Sequence, residues 1–254
     1  MKVNLLNYAD HNFRTSQRQN SRTGLSVGGF GRVLSYGPKD IDRNFYAKNK
    51  AILDVPRGNG LWLWKPYFIH RTLQELPDGD WLFYCDAGSY FIHSISPLIE
   101  LAQATGSDIL TFADEHPERK FSKRDAFVLL DADQSEITDT PQRLGGFSLW
   151  RKSETSLAFA EEYLKYCQDT RIMTDGGSVL GQPDYPEFKA NRNDQTVLSI
   201  LAKKHGLPAY RDPSQWGNDR TEAYPNSPYP QIVELTRQRN VPLKTRIKRW
   251  ILRR

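Results

Sequence analysis

Three carboxylate-bearing stretches have the residue types and spacing to do chemistry. The first is Asp86-Ala87-Gly88, which ends the apolar run Trp81-Leu82-Phe83-Tyr84-Cys85. A carboxylate at the end of a buried strand, followed by two tiny residues, suits a metal, phosphate or sugar, because open α/β sheets bind ligands beyond the strands' carboxyl ends. The plainer reading is a turn in which Asp86 caps the next segment. The second is Asp131-Ala132-Asp133, a D-x-D that lets two carboxylates share a divalent cation. It follows Lys123–Leu130, which fits a strand and a helical face equally. The third is Asp194-Gln195, ahead of an apolar helical pattern through Val197, Leu198 and Leu201. There the plain alternative is a helix cap, worth about 1 kcal/mol.

The elements that must position these groups read as alternating strands and helices. Val3–Tyr8 suits a first strand, and 11–42 is polar and turn-rich, so it reads as a loop. Its glycines at 28, 29 and 31 lack dinucleotide-fingerprint spacing. Arg43–Ile52 suits a helix. Another starts near Pro66 and runs through Phe68, Ile69, Leu73 and Leu76 before the Asp86 strand. Ser96–Thr105 suits a helix, Ser107–Phe112 a strand, Gly145–Trp150 a strand with close backbone approach, and Ser156–Cys167 an amphipathic helix. The rest, from His205 to Pro242, reads as ordered surface loops. The whole implies one α/β domain over 1–242 with a short tail, 243–254.

Composition bounds the rest. The chain has 254 residues, 38% hydrophobic and 26% charged, enough for a sizeable core. Cys85 and Cys167 have no metal-type spacing, which favours a reducing, cytoplasmic setting. No signal peptide and no membrane-spanning run is expected. The net charge is +5, but six basic residues and no acid lie in the last eleven, and removing those six leaves −1. A near-neutral body argues against nucleic acid as partner. In the tail, Leu243, Ile247, Trp250 and Ile251 recur at helical spacing among the basic residues. That pattern suits a basic amphipathic helix on an anionic membrane surface, with a solvated basic end as the alternative.

Three features in order carry a resemblance: Trp62-Leu63-Trp64-Lys65-Pro66 feeding the strand that ends Tyr84-Cys85-Asp86-Ala87-Gly88, Gly145-Gly146-Phe147 ahead of Arg151-Lys152-Ser153, and Asn191-Arg192-Asn193-Asp194-Gln195 opening a helix. Together they resemble GT-A-fold, nucleotide-sugar-dependent glycosyltransferases, distantly the retaining LgtC-like enzymes of bacterial polysaccharide and lipopolysaccharide synthesis. The resemblance spans roughly Lys2–Ala209. It implies a Rossmann-like single domain whose central sheet is mixed, mostly parallel and flanked by helices.

It also implies a nucleoside diphosphate sugar donor, with UDP favoured, a glycan or lipid-linked acceptor, and a manganese or magnesium ion. Donor binding would fall to Tyr8, Ala9, Lys65, Asp86, Ala87, Gly88 and Arg192. Tyr8 and Ala9 would hold the base, and Lys65 the diphosphate. Gly145, Gly146 and Phe147 would border the acceptor and donor sugar, and Asp194 and Gln195 would act at the reacting centre. The Asp-Gln pair favours retention. One departure stands out: Gly88 occupies the place of the second metal carboxylate, so Asp86 is alone, or Lys65 and Arg192 replace the cation's charge. The missing carboxylate also admits a catalytically inactive nucleotide-sugar or glycan-binding module. The enzyme would sit in the cytoplasm, on the inner face of the membrane.

Overall fold

In a computed structural model, residues 1–236 are described. The expected tail helix, 243–254, lies outside them. A six-stranded sheet runs in the order β2-β1-β3-β6-β5-β7. Its strands are β1 (Val3–Tyr8), β2 (Arg32–Tyr36), β3 (Trp81–Cys85), β5 (Ile109–Pro117), β6 (Pro141–Arg151) and β7 (Ala209–Tyr210). Pairings are parallel except those of β6, which is antiparallel to both β3 and β5. A two-stranded ribbon, β4 (Ser89–Phe91) with β8 (Val233–Leu235), stands beside it. The mixed, mostly parallel sheet follows the expectation.

The side-chain alternation of the strands divides the core between two faces. Leu6, Leu82, Tyr84 and Trp150 pack under α2 (Trp64–Glu75), α5 (Glu154–Cys167) and α6 (Asp194–Lys204). Leu5, Trp81, Phe83 and Leu149 pack against α3 (Ser96–Ala104), Phe91 of β4 and Val233 of β8. Every residue of β3 is buried, as expected for a strand covered on both faces. Ser153 starts α5 by accepting from the Ser156 amide, while the Ser156 hydroxyl accepts from the Ser153 amide in return.

Three expectations are corrected and one open choice is decided. The stretch expected as surface loops up to Pro242 contains β7 and β8, with Ile232 and Val233 fully buried. The loop expected over 11–42 contains α1 (Arg14–Thr23) and β2. Helix α1, Arg-Thr-Ser-Gln-Arg-Gln-Asn-Ser-Arg-Thr, has no apolar stripe to betray it. It is held by Asn20, fully buried, whose amide donates to the Ser89 carbonyl at 3.0 Å and whose carbonyl accepts from Asn7 at 2.8 Å. The helix expected at Arg43–Ile52 divides at Asn49 into Arg43–Lys48 and Lys50–Leu53. The stretch before Asp131 is helical, α4 (Arg124–Leu129). Asp133 accepts from Arg124 at 2.8 Å and from the Tyr185 hydroxyl at 2.6 Å, which ties a loop to α4 and leaves no paired-carboxylate cation site there.

Between the helices, φ is positive at five consecutive residues, Gly58, Asn59, Gly60, Leu61 and Trp62. A left-handed turn of this length is costly for residues with a Cβ. It brings Asn59 under Tyr8, whose hydroxyl donates to it at 2.5 Å.

Candidate active site

The site grows from the end of β3. Asp86 donates its amide to the Gly146 carbonyl at 2.9 Å, and its own carbonyl accepts the Ser89 hydroxyl at 2.6 Å. Its carboxylate accepts the Tyr84 hydroxyl through Oδ1 at 2.5 Å, and a Cβ on Gly146 would stand 3.3 Å from Oδ2. Glycine at 146 therefore gives Asp86 its room. Burial, reinforced by Asp86, pushes the Tyr84 phenol well above its ordinary value, so it stays a donor. Ala87 is buried, and the Gly88 carbonyl accepts the Thr236 amide at 2.9 Å.

Lys65 and Asp194 meet beneath this strand end. Their Nζ–Oδ2 distance is 2.6 Å, and each side chain is 4% exposed. The ammonium also donates to the Gly145 carbonyl at 2.8 Å, and the Tyr163 hydroxyl donates to Asp194 at 3.1 Å. Burial opposes both charges. For Lys65, Asp194 and Asp86 together outweigh it, leaving the ammonium above its ordinary value. For Asp194, burial wins over Lys65 and raises the carboxyl. Asn193 holds the N-cap position, and Asp194 lies inside the first turn with its carboxylate turned to Lys65 and Tyr163.

Gln195 and Arg192 turn the other way. Gln195 accepts the Gly145 amide at 3.1 Å, and its Nε2 faces the Gln142 carbonyl oxygen at 3.1 Å. Arg192 donates to Asp114 at 2.5 Å and lies 4.1 Å over the Phe121 ring. Gln142, fully buried, gives its amide hydrogens to Glu118 and Ser122, each at 2.8 Å. Its carbonyl oxygen is thereby aimed at Gln195 and Arg192. A Cβ on Gly145 would come within 3.0 Å of Gln195 Cβ and 3.3 Å of Lys65 Nζ, so this glycine is needed for close approach.

These groups border a cavity of about 590 Å³. Asp86, Gly146 and Phe147 line one side, Arg192, Gln195 and Asp114 another, and Asp212, Trp216 and Arg220 close it from the C-terminal region. Trp216 is 66% exposed there. Burial raises the Asp212 carboxyl above its ordinary value, partly offset by bonds from Ser214.

Of the expected residues, Asp86, Gly146, Phe147, Arg192 and Gln195 thus share the cavity wall. Lys65, Asp194 and Gly145 form a layer behind it. Tyr8 and Ala9 are buried at the end of β1, the Tyr8 ring stacked on Trp64 at 3.8 Å between centroids. The sequence reading missed Asp114, Gln142, Asp212 and Trp216. A buried Gln within a strand and a Trp within a short 3-10 turn carry no periodic signal, and only the fold brings Gln142 to Gln195 and Trp216 to the same cavity.

Among the described residues, no group of three or more His, Cys, Asp or Glu has the geometry to hold a metal ion. Asp86 has one oxygen committed to Tyr84. The residues present fit a cation only where donor phosphates supply most of its ligands, as magnesium ions often are bound.

No protein-family model matches the chain, and no curated protein matches it by sequence. Solved structures do. Mouse xyloside xylosyltransferase 1 is 10% identical, with 92% of this chain and 96% of that one covered and a TM-score of 0.51. The fold is GT-A. The galactosyltransferase LgtC, solved with donor and acceptor sugar analogues, is 13% identical over 91% of this chain and 86% of its own, at a TM-score of 0.49. At these identities the GT-A likeness extends to the fold, and what the cavity does rests on its residues.

Proposed function

We propose that this protein is a glycosyltransferase that moves a sugar from a nucleoside diphosphate sugar, UDP-linked by preference, to a glycan or lipid-linked acceptor in surface polysaccharide or lipopolysaccharide synthesis. The observation that carries this is the convergence of Asp86, Arg192 and Gln195 on one cavity at the C-terminal end of β3, in a GT-A fold.

In this reading the diphosphate lies between Asp86 and Arg192. Arg192 stabilises the charge that develops on the leaving group. Asp86, with oxygens of the donor's own diphosphate, would hold a manganese or magnesium ion, which would supply further neutralisation of the leaving group. The base meets the chain at the end of β1, against the backbone of Tyr8 and Ala9, since Trp64 covers the Tyr8 ring. Gln195 holds the donor sugar. Lys65 and Asp194 act from behind, fixing Gly145 and the start of α6, while Ala87 and Gly88 carry the chain away from the strand end outside the cavity wall.

Retention of anomeric configuration is favoured. Inverting transfer needs a base at the acceptor hydroxyl. At the start of α6, Asp194 is committed to Lys65 and Tyr163 and Gln195 cannot take a proton. That leaves the role to another wall carboxylate such as Asp212. Trp216 offers a flat apolar face at the cavity mouth to the acceptor sugar. The basic segment 243–254 holds the enzyme at an anionic membrane, on its cytoplasmic side. Among the described residues no helix is long and apolar enough to cross a membrane.

A thermal-shift screen of nucleoside diphosphate sugars, with and without manganese, tests this. Stabilisation by one nucleotide class, with slow donor hydrolysis, is expected. Manganese is expected to act only alongside nucleotide. Nucleotide binding without hydrolysis or transfer would favour the inactive binding module. Product anomer analysis by NMR checks retention, and an inverted product would point to Asp212 as base.

A further inference from the structure

Between Asp10 and Asp40 the chain has no acidic residue and five basic ones, Arg14, Arg18, Arg22, Arg32 and Lys39. The first three lie in α1 at i, i+4 and i+8, so they share one helix face, and all are exposed. Among the described residues no carboxylate is ion-paired with any of them. The opposite face is anchored through Asn20 to Asn7 and Ser89. Just past the helix, Leu25 is 55% exposed and Val27 40% exposed.

We propose that this α1 face, with Leu25 and Val27, is a folded docking surface for an anionic lipid bilayer. The arginines match lipid phosphates, and the two exposed apolar side chains suit the acyl boundary. A nucleic-acid backbone would satisfy the charge but gives Leu25 and Val27 no role. Position supports the same occupant. The Thr23 hydroxyl accepts the Phe91 amide of β4 at 3.1 Å, and β4 pairs with β8. The chain thus leaves the described structure at Thr236, beside the strand that α1 holds, and carries onward the six basic residues of its last eleven. Leu235 and Thr236, which border β4 at this end of the molecule, also line the cavity. The surface is separate from the proposed tail contact and from the sugar-transfer chemistry.

Cosedimentation of full-length chains with vesicles of phosphatidylglycerol and phosphatidylcholine in equal parts, against phosphatidylcholine alone, tests it. Four chains separate the two contacts: the unaltered one, one with the six tail residues Lys244, Arg246, Lys248, Arg249, Arg253 and Arg254 changed to Gln, R14Q/R18Q/R22Q, and the two sets combined. The tail-neutralised chain is expected to keep its preference for the anionic vesicles. Adding R14Q/R18Q/R22Q should weaken binding about a hundredfold, at roughly fivefold per arginine. R14K/R18K/R22K should retain it, and Leu25→Ser with Val27→Ser should weaken it. Circular dichroism and melting checks that α1 stays folded. Loss of all anionic preference on neutralising the tail alone, or no change with R14Q/R18Q/R22Q, overturns the proposal. Tighter binding of the tail-neutralised chain to duplex DNA than to the vesicles overturns it too.

Discussion

Changing Asp194 to Asn removes a charge and almost no volume, so it isolates the buried ion pair. Lys65 and Asp194 are each 4% exposed and 2.6 Å apart. Leaving one buried charge without its partner costs about 3–5 kcal/mol. The lower end applies here, because the Gly145 carbonyl and Asp86 still attend the ammonium. For a chain of this size the melting temperature should fall on the order of 10 °C. Urea unfolding followed by tryptophan fluorescence gives the free energy. Replacing both partners, in Lys65→Met with Asp194→Leu, should recover most of the loss, giving a coupling of at least about 2 kcal/mol in the cycle closed by the single variants Lys65→Met and Asp194→Leu. The Lys65 contribution should be complete below its ordinary 10.5 and vanish as pH rises through the higher folded value. Transfer, measured where every variant is folded, should stay low even in the restored double variant, because Gly145 and the start of α6 lose their polar tie. A loss under about 1 kcal/mol for Asp194→Asn, or additive single effects, would refute the coupled buried pair. A stable double variant with full transfer would reduce the pair to packing.

Gly145→Ala should push Gln195 and Lys65 apart and cut transfer at least tenfold, while nucleotide affinity changes less; equal losses in both would count against Gly145 acting through Gln195. Gln142→Met should lower kcat for transfer more than it raises donor KM, with about 1–3 kcal/mol of stability lost from the Glu118 network. Trp216→Ala should raise acceptor KM roughly three- to tenfold and affect donor hydrolysis less, and an unchanged acceptor KM removes Trp216 from that role. Asp125 is held below its ordinary 3.8, because bonds from Ser178, Val179 and Leu180 outweigh burial. Its stabilisation of the 174–193 loop should be complete above 3.8 and lost as pH falls through the folded value. Pepsin cutting of that loop should therefore rise with acid in the unaltered chain. Asp125→Asn should be cut more readily than the unaltered chain at a pH above 3.8, and indifference to the substitution there would sink the clamp.

Much of the fold was legible where local patterns are strong. The unbroken apolar run of β3, the periodic apolar residues of α2, α5 and α6, and the order of three short motifs pointed to a GT-A domain with Asp86 at a strand end. Helix α1 was not legible, because polar contacts through Asn20 hold it and hydrophobic periodicity is silent about those. The D-x-D at 131–133 was formally attractive, yet only tertiary packing showed Arg124 and Tyr185 occupying Asp133.

The sequence by itself determined which residues sit at strand ends and helix starts, since apolar period and glycine placement are local properties. Which way those residues face was decided by the tertiary structure alone. Asp194 and Gln195 are adjacent in the chain, but successive helical positions point about a quarter-turn apart. One is drawn back to a buried lysine 129 positions earlier, while the other turns to the cavity, held by a glutamine from a different strand. Desolvation and hydrogen-bond partners set those directions, and both exist only once the sheet has brought β3, β6 and α6 together.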